Sequence, residues 1–192
     1  MNNVEVRKMK KEDLIDLTKW GSHEDLRFLP YNFPYKNKIE YTLWYNSKNK
    51  IFTRKIFSII FNKKVVGYIT LKKINWIKKS AEMGISIDAN CLSKGIGTLA
   101  IIKYLETVFI KYRLKKISLR AALFNKRAIK CYKKVGFNEI ERKLAPFEDQ
   151  TNAFKLIMEY DCFTMIENKA CCEYVFMNVN KSDFMQNRII RG

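Results

Sequence analysis

Two stretches of this chain hold residues whose types and spacing can do chemistry. In the first, a strand-like run through Ile85, Ser86 and Ile87 leads into a turn, Leu92-Ser93-Lys94-Gly95-Ile96-Gly97-Thr98, from which a long amphipathic stretch departs. A glycine-bearing turn between a strand and a helix start exposes several backbone N–H groups with the positive end of the helix dipole behind them, an anion cradle whose usual occupant is phosphate. The second stretch, Asn125-Lys126-Arg127-Ala128-Ile129-Lys130-Cys131-Tyr132-Lys133-Lys134-Val135-Gly136-Phe137, reads as a helix capped by Asn125 and closed by Gly136. Asn125, Ala128 and Tyr132 fall on one face of it, offering an amide, a small residue that permits close approach, and a phenol. Taken singly, the first pattern is shared with turns that hold nothing, and the second with packed helices carrying a half-buried tyrosine.

In this order, the two stretches resemble the GNAT superfamily of acetyl-CoA-dependent N-acetyltransferases. The Gln/Arg-x-x-Gly-x-Gly/Ala signature falls on residues 92–97, and Asn-x-x-Ala-x-x-x-Tyr-x-x-x-Gly-Phe is matched in full from Asn125 to Phe137. Leu92 departs from the family's Gln or Arg, which removes one side-chain contact but none of the main-chain ones. The resemblance spans roughly residues 3–161. It implies that Ile85, Ser86 and Ile87 pair through their backbone with the pantetheine arm of acetyl-CoA, and that the amides of Lys94, Gly95, Ile96, Gly97 and Thr98 take the pyrophosphate. It further implies that Asn125 contacts the cofactor arm and that Tyr132 stands beside the sulfur as general acid. Glu82, on the central strand, occupies a place where many relatives carry an acidic residue facing the acceptor; a salt-bridged strand residue is the equal alternative. Members that acetylate protein N-termini often carry a Glu five residues before the Asn; Arg120 stands there, which argues against that activity.

Acetyl transfer needs a free amine lone pair, a polarised thioester and a proton for the departing thiolate. An alkylamine with a pKa of about 10.4 is neutral in on the order of one molecule per thousand at pH 7, so a proton acceptor matters. Holding amine and thioester in line supplies much of the remainder. The acceptor pocket is expected from residues 20–45 and 147–149, with Trp20, His23, Tyr31 and Tyr35 as lining candidates and Asp25, Glu148 or Asp149 to hold an ammonium. His23 is also a candidate base. No cysteine is placed by motif as an acyl carrier, and Cys91 and Cys131 have no adjacent histidine, so transfer is expected to be direct, from a ternary complex. Small polyamines, amino sugars and peptide amines are the acceptor candidates.

The elements that must position these groups can be read from periodicity. Residues 3–9 form a first strand, residues 11–20 a helix, and residues 38–47 a second one. A hairpin follows over residues 54–61 and 64–75, turning at Asn62-Lys63, with Gly67 marking a bulge or a close backbone approach. Residues 81–88 form the central strand, 116–122 the next, and 137–142 and 153–160 the last two. The expected class is α/β: a mixed, mostly antiparallel central sheet flanked by helices, the acyl-CoA N-acyltransferase fold, over residues 1–161. Residues 162–192 would be a C-terminal extension without an assigned role, in which residues 173–179 could add an edge strand or contact a second copy, giving a homodimer.

Composition bounds the alternatives. With 192 residues, 47% hydrophobic and 29% charged, the chain can bury one proper core. No apolar run approaches bilayer-spanning length, the N-terminus lacks a signal peptide's apolar region, and five cysteines without framework spacing fit reduced thiols; cytosol is the expected location and no membrane partner is expected. No Cys/His cluster suggests a metal. The net charge of +18 invites a nucleic-acid reading, but 28 of the 37 basic residues are scattered Lys, and base-reading surfaces favour Arg. Two rival functions are a catalytically silent acyl-CoA-binding or regulatory module and, more remotely, a basic nucleic-acid-binding protein.

Overall fold

The computed structural model describes residues 4–50 and 52–191. Eight strands form one sheet: β1 (Val4–Lys8), β2 (Lys55–Phe61), β3 (Lys64–Asn75), β4 (Ser80–Ile87), β5 (Lys116–Ala122), β6 (Asn138–Pro146), β7 (Phe163–Ile166) and β8 (Lys169–Asn180). Their spatial order is β1-β2-β3-β4-β5-β8-β6, with β7 paired to β8. All neighbours are antiparallel except β4 and β5. The helices are α1 (Leu14–Leu17), α2 (Lys38–Lys48), α3 (Ile96–Glu106), α4 (Lys126–Val135), α5 (Ala153–Glu159) and α6 (Lys181–Arg191). None of the helices described is long and apolar enough to cross a membrane.

Alternation along the strands decides which layer covers which face. Ala81 and Met83 of β4, with Ile117 and Leu119 of β5, pack under Ile96, Ala100, Ile101 and Tyr104 of α3 in the main core. A second cluster, Leu14, Leu17, Phe33, Trp44, Ile56 and Val65, seats α1 and α2 on the opposite face of the first strands. The β2–β3 hairpin turns at Asn62-Lys63, both left-handed with φ of 50° and 65°, as a two-residue turn matched to strand twist requires. Gly67 faces the expected bulge: the register shifts between Ile59 and Ile60, and a Cβ on Gly67 would come within 2.8 Å of the Ser86 carbonyl oxygen.

Two expectations from sequence need correction, and they share one cause. Residues 153–160 do not form a strand; Ala153–Glu159 is helix α5, with Leu156 as its buried residue while Phe154 and Met158 lie exposed. The strand required beside β5 comes instead from β8, inside the segment expected as an extension. β8 pairs with β5 along Ala122↔Tyr174 to Lys116↔Asn180 and with β6 along its other edge. Buried on both faces, it carries the nearly unbroken apolar run of an interior strand. The segment expected as an edge strand thus lies inside the same sheet as the strands before residue 161, with β5 on one side and β6 on the other.

Candidate active site

The parallel register between β4 and β5 lasts only from Ser80↔Lys116 to Glu82↔Ser118. Beyond Glu82 the two strands part. From Met83 to Ile87, β4 keeps β3 on one edge, while the edge towards β5 has no strand partner among the described residues. Unpaired N–H and C=O groups along an edge are a template for any extended chain with amide groups of its own. A cavity of about 510 Å³ opens along this gap, a size suited to a small-molecule ligand. Glu82, Ile85, Ser86, Ile87, Gly95, Ile96, Gly97, Thr98, Asn125 and Tyr132 all line it. Of the expected set only Lys94 does not, since its ammonium donates to the Asn90 carbonyl at 2.8 Å.

The glycine turn is built to leave its amides open. Asp88 holds the turn before it, accepting from the Asn90 and Gly21 amides at 3.0 and 2.9 Å. Ser93 and Gly95 both adopt left-handed conformations, φ 59° and 76°, and turn the chain sharply into α3. Gly95 is the N-cap and has no side chain to satisfy the first-turn N–H groups, so these face the cavity uncapped. Arg127, on the first turn of α4, lines the same cavity and supplies a full positive charge; the sequence reading passed over it because its motif position is variable.

Asn125 caps α4, its Oδ1 accepting from the Ala128 amide at 3.2 Å, so part of its hydrogen-bonding capacity is spent inside the chain. Tyr132, one face of the same helix further on, is buried against Phe137. Burial, with the nearby Tyr31 and Cys131 adding to it, pushes its phenol well above the ordinary value and keeps it protonated through neutral pH. Tyr132 lines the cavity beside Cys131 and Ala128.

Glu82 is held on both oxygens: Lys72 and Lys73 each reach it at 2.8 Å. Burial raises its carboxyl, but the two ammonium groups outweigh burial and leave it below the ordinary carboxylate value. It lines the cavity as an ionised group and a weak base.

Among the acceptor-pocket candidates, His23, Tyr31 and Glu148 reach the cavity. Burial lowers the His23 imidazole below its usual value, assisted by Arg127, so the ring is neutral at pH 7. Glu148 accepts from Arg120 at 3.0 Å and from the Tyr174 hydroxyl at 2.6 Å, which fixes its orientation. The others are structural. Trp20 donates to the Val65 carbonyl and stacks on Tyr68; Tyr35 packs in the second core cluster; Asp25 is engaged by Arg27; Asp149 holds a turn at Thr151 and Asn152. Arg120 and Tyr174 were not read as site residues; no local pattern distinguishes them, because only the pairing of β5 with β8 brings them to Glu148.

The comparisons agree with this geometry. Residues 3–138 match the Acetyltransferase (GNAT) domain family. A spermidine N(1)-acetyltransferase of Vibrio cholerae is 26% identical over 139 residues, covering 72% of this chain and 80% of that protein. An N-alpha-acetyltransferase of Sulfurisphaera tokodaii is 26% identical over 137 residues, covering 66% and 77%. Among solved structures, the Vibrio cholerae spermidine N-acetyltransferase in complex with CoA and spermine superposes with a TM-score of 0.72 at 22% identity over 95% of this chain and 98% of that one. A parted parallel strand pair, an uncapped glycine turn and a buried phenol thus meet in a chain that belongs to the GNAT acetyltransferase family and transfers an acetyl group from acetyl-CoA to an amine.

Proposed function

We propose that acetyl-CoA lies in the gap between β4 and β5 and passes its acetyl group directly to a primary amine entering from the other side of the cavity. The observation that carries this is the loss of β4–β5 pairing beyond Glu82, next to the open amides of the Gly95 turn and the Tyr132 phenol. The bare edge of Ile85, Ser86 and Ile87 pairs with the pantetheine arm, and the amides of Gly95, Ile96, Gly97 and Thr98, with Arg127, hold the pyrophosphate. Lys94 contributes its backbone amide only.

Tyr132 donates to the sulfur as the tetrahedral intermediate collapses. The phenol is a weak acid, but the burial that raises it also raises the basicity of a thiolate beside it, so donation remains matched. Glu82 receives the amine's proton through water; Lys72 and Lys73 make it a poor acceptor, so turnover follows the fraction of acceptor already neutral. Asn125 fixes the start of α4 and thereby the position of Tyr132. Spermidine, the acceptor named for several relatives, is the reference acceptor.

Acceptor-dependent release of CoA thiol by the purified chain tests this. A catalytically silent binder is the competing reading: it would be stabilised by acetyl-CoA yet release no thiol with any amine, and Tyr132→Phe would leave its behaviour unchanged.

A further inference from the structure

A second cavity, about 650 Å³, adjoins the first on the sheet face opposite α3 and α4. Lys72, Glu82 and Arg120 line both, at the level where β4 and β5 part. Its charged lining is Lys72, Lys73, Lys78, Lys116 and Arg120 against the single carboxylate of Glu82. That carboxylate is already spent on Lys72 and Lys73 at 2.8 Å, and Glu148, the other acid lining the first cavity, is spent on Arg120 at 3.0 Å. Lys78 and Lys116 have no carboxylate partner among the described residues. The floor between them adds hydroxyl and amide groups from Ser80, Ser118 and Asn178, donors that suit an oxyanion.

We propose that this trough holds an anionic group, carboxylate or phosphate, carried by the molecule whose amine is acetylated. The proposal rests on the acetyl-transfer reading of the first cavity and names the acceptor class. A polyamine would bring several positive charges into a channel whose acids are both engaged, and like charges brought together across a binding surface cost affinity and slow encounter. An amine with an anionic arm gains from the unpaired Lys78 and Lys116 while its amine reaches past Glu82 to the thioester. It differs in charge from the spermidine named for several relatives.

The test compares matched acceptors with the full-length chain and acetyl-CoA: cadaverine against lysine, which adds a carboxylate, and glucosamine against glucosamine 6-phosphate, with spermidine as the polycation. The anionic member of at least one pair is expected to exceed its partner in kcat/KM by about tenfold or more, each tenfold being about 1.4 kcal/mol. The pair that shows it tells carboxylate from phosphate. Combined Lys78→Glu and Lys116→Glu, both on exposed positions, should abolish the preference while leaving the KM for acetyl-CoA unchanged. A second measurement does not need turnover: citrate and inorganic phosphate should each be assayed for raising the melting temperature of the CoA-saturated chain, and at least one should do so in the wild type and not in the double variant. Equal rates within both pairs, a preference for spermidine, or no anion-dependent rise overturns the proposal. Failure of acetyl-CoA itself to stabilise the chain would instead remove the reading of the first cavity.

Discussion

The hydroxyl of Thr98 and the thiol of Cys131 stand 3.3 Å apart, joining the first turn of α3 to the middle of α4. This contact ties the uncapped amide turn to the helix that carries Tyr132. Burial raises the Cys131 thiol, with Thr98 and nearby Lys134 and Arg127 opposing, so little thiolate is present at neutral pH. Alkylation of Cys131 by a maleimide, followed by peptide mass spectrometry, should be slow, slower still with acetyl-CoA present, and accompanied by loss of transfer activity. A rate indifferent to acetyl-CoA would mean that Cys131 does not border the bound substrate.

Tyr132→Phe keeps the buried ring and removes only the hydroxyl. Its melting temperature should stay near that of the wild type, while kcat falls by about 10²-fold or more and the KM for acetyl-CoA changes little. Steady-state kinetics beside a thermal melt separates the two effects.

The pH profile follows from two opposite shifts. The phenol of Tyr132 lies above its ordinary value, so the acid is protonated at and above neutral pH; Glu82 lies below its own, so the weak base is ionised there too. Neither titrates between about pH 6 and 9, given ordinary values of about 10 and 4.3. kcat/KM should rise with pH along the deprotonation of the acceptor amine, and the limb should shift when an amine of lower pKa is used. Glu82→Gln should lower the curve without moving it. A limb below the usual imidazole range that stays fixed whatever the amine would transfer the base role to His23.

Gly95 and Gly97 differ in what a methyl group would do. Gly95 has φ of 76° with open space around its missing Cβ, so Gly95→Ala is strained by backbone alone, at about 1 kcal/mol. At Gly97 the added Cβ meets the mobile end of Ile87 at 3.0 Å, which can give way. Thermal melts should show the larger loss for Gly95→Ala, and both variants should bind acetyl-CoA more weakly in calorimetry.

Removing residues 162–192 deletes β7, β8 and α6, strips β6 of its partner and leaves β5 with only its short pairing to β4. The shortened chain should fail to give a cooperative thermal transition by circular dichroism. A folded, acetyl-CoA-binding 1–161 fragment would contradict the central place of β8.

How much of this could be read beforehand depends on how local each signal is. The Asn62-Lys63 turn, Gly67, the Gly95 turn and the Asn125 cap are written in a few adjacent residues, and each lies where its residue types require. Residues 153–160, rich in apolar side chains, fit strand or helix equally by composition; the outcome turned on Leu156, whose burial leaves Phe154 and Met158 facing outward. β8 was legible as a strand but not as an interior one, since β5 and β6, the strands that enclose it, lie far from it in sequence and pairing partners leave no mark within a strand. The site shows the same division: Tyr132 and the amide turn come from motifs, whereas the Lys72–Glu82–Lys73 and Arg120–Glu148–Tyr174 groupings exist only once the sheet has closed.

Because β8 occupies the slot between β5 and β6, the order of synthesis matters. A nascent chain that has left the ribosome as far as β6 leaves β5 and β6 without the strand that pairs them, and unpaired strand edges are a surface on which chains aggregate. Tyr174, which steadies Glu148, and Asn178, on the trough floor, arrive with the same late strand. The enzyme therefore completes its sheet and its acceptor side with the same late strand, and no working cavity exists before that strand is in place.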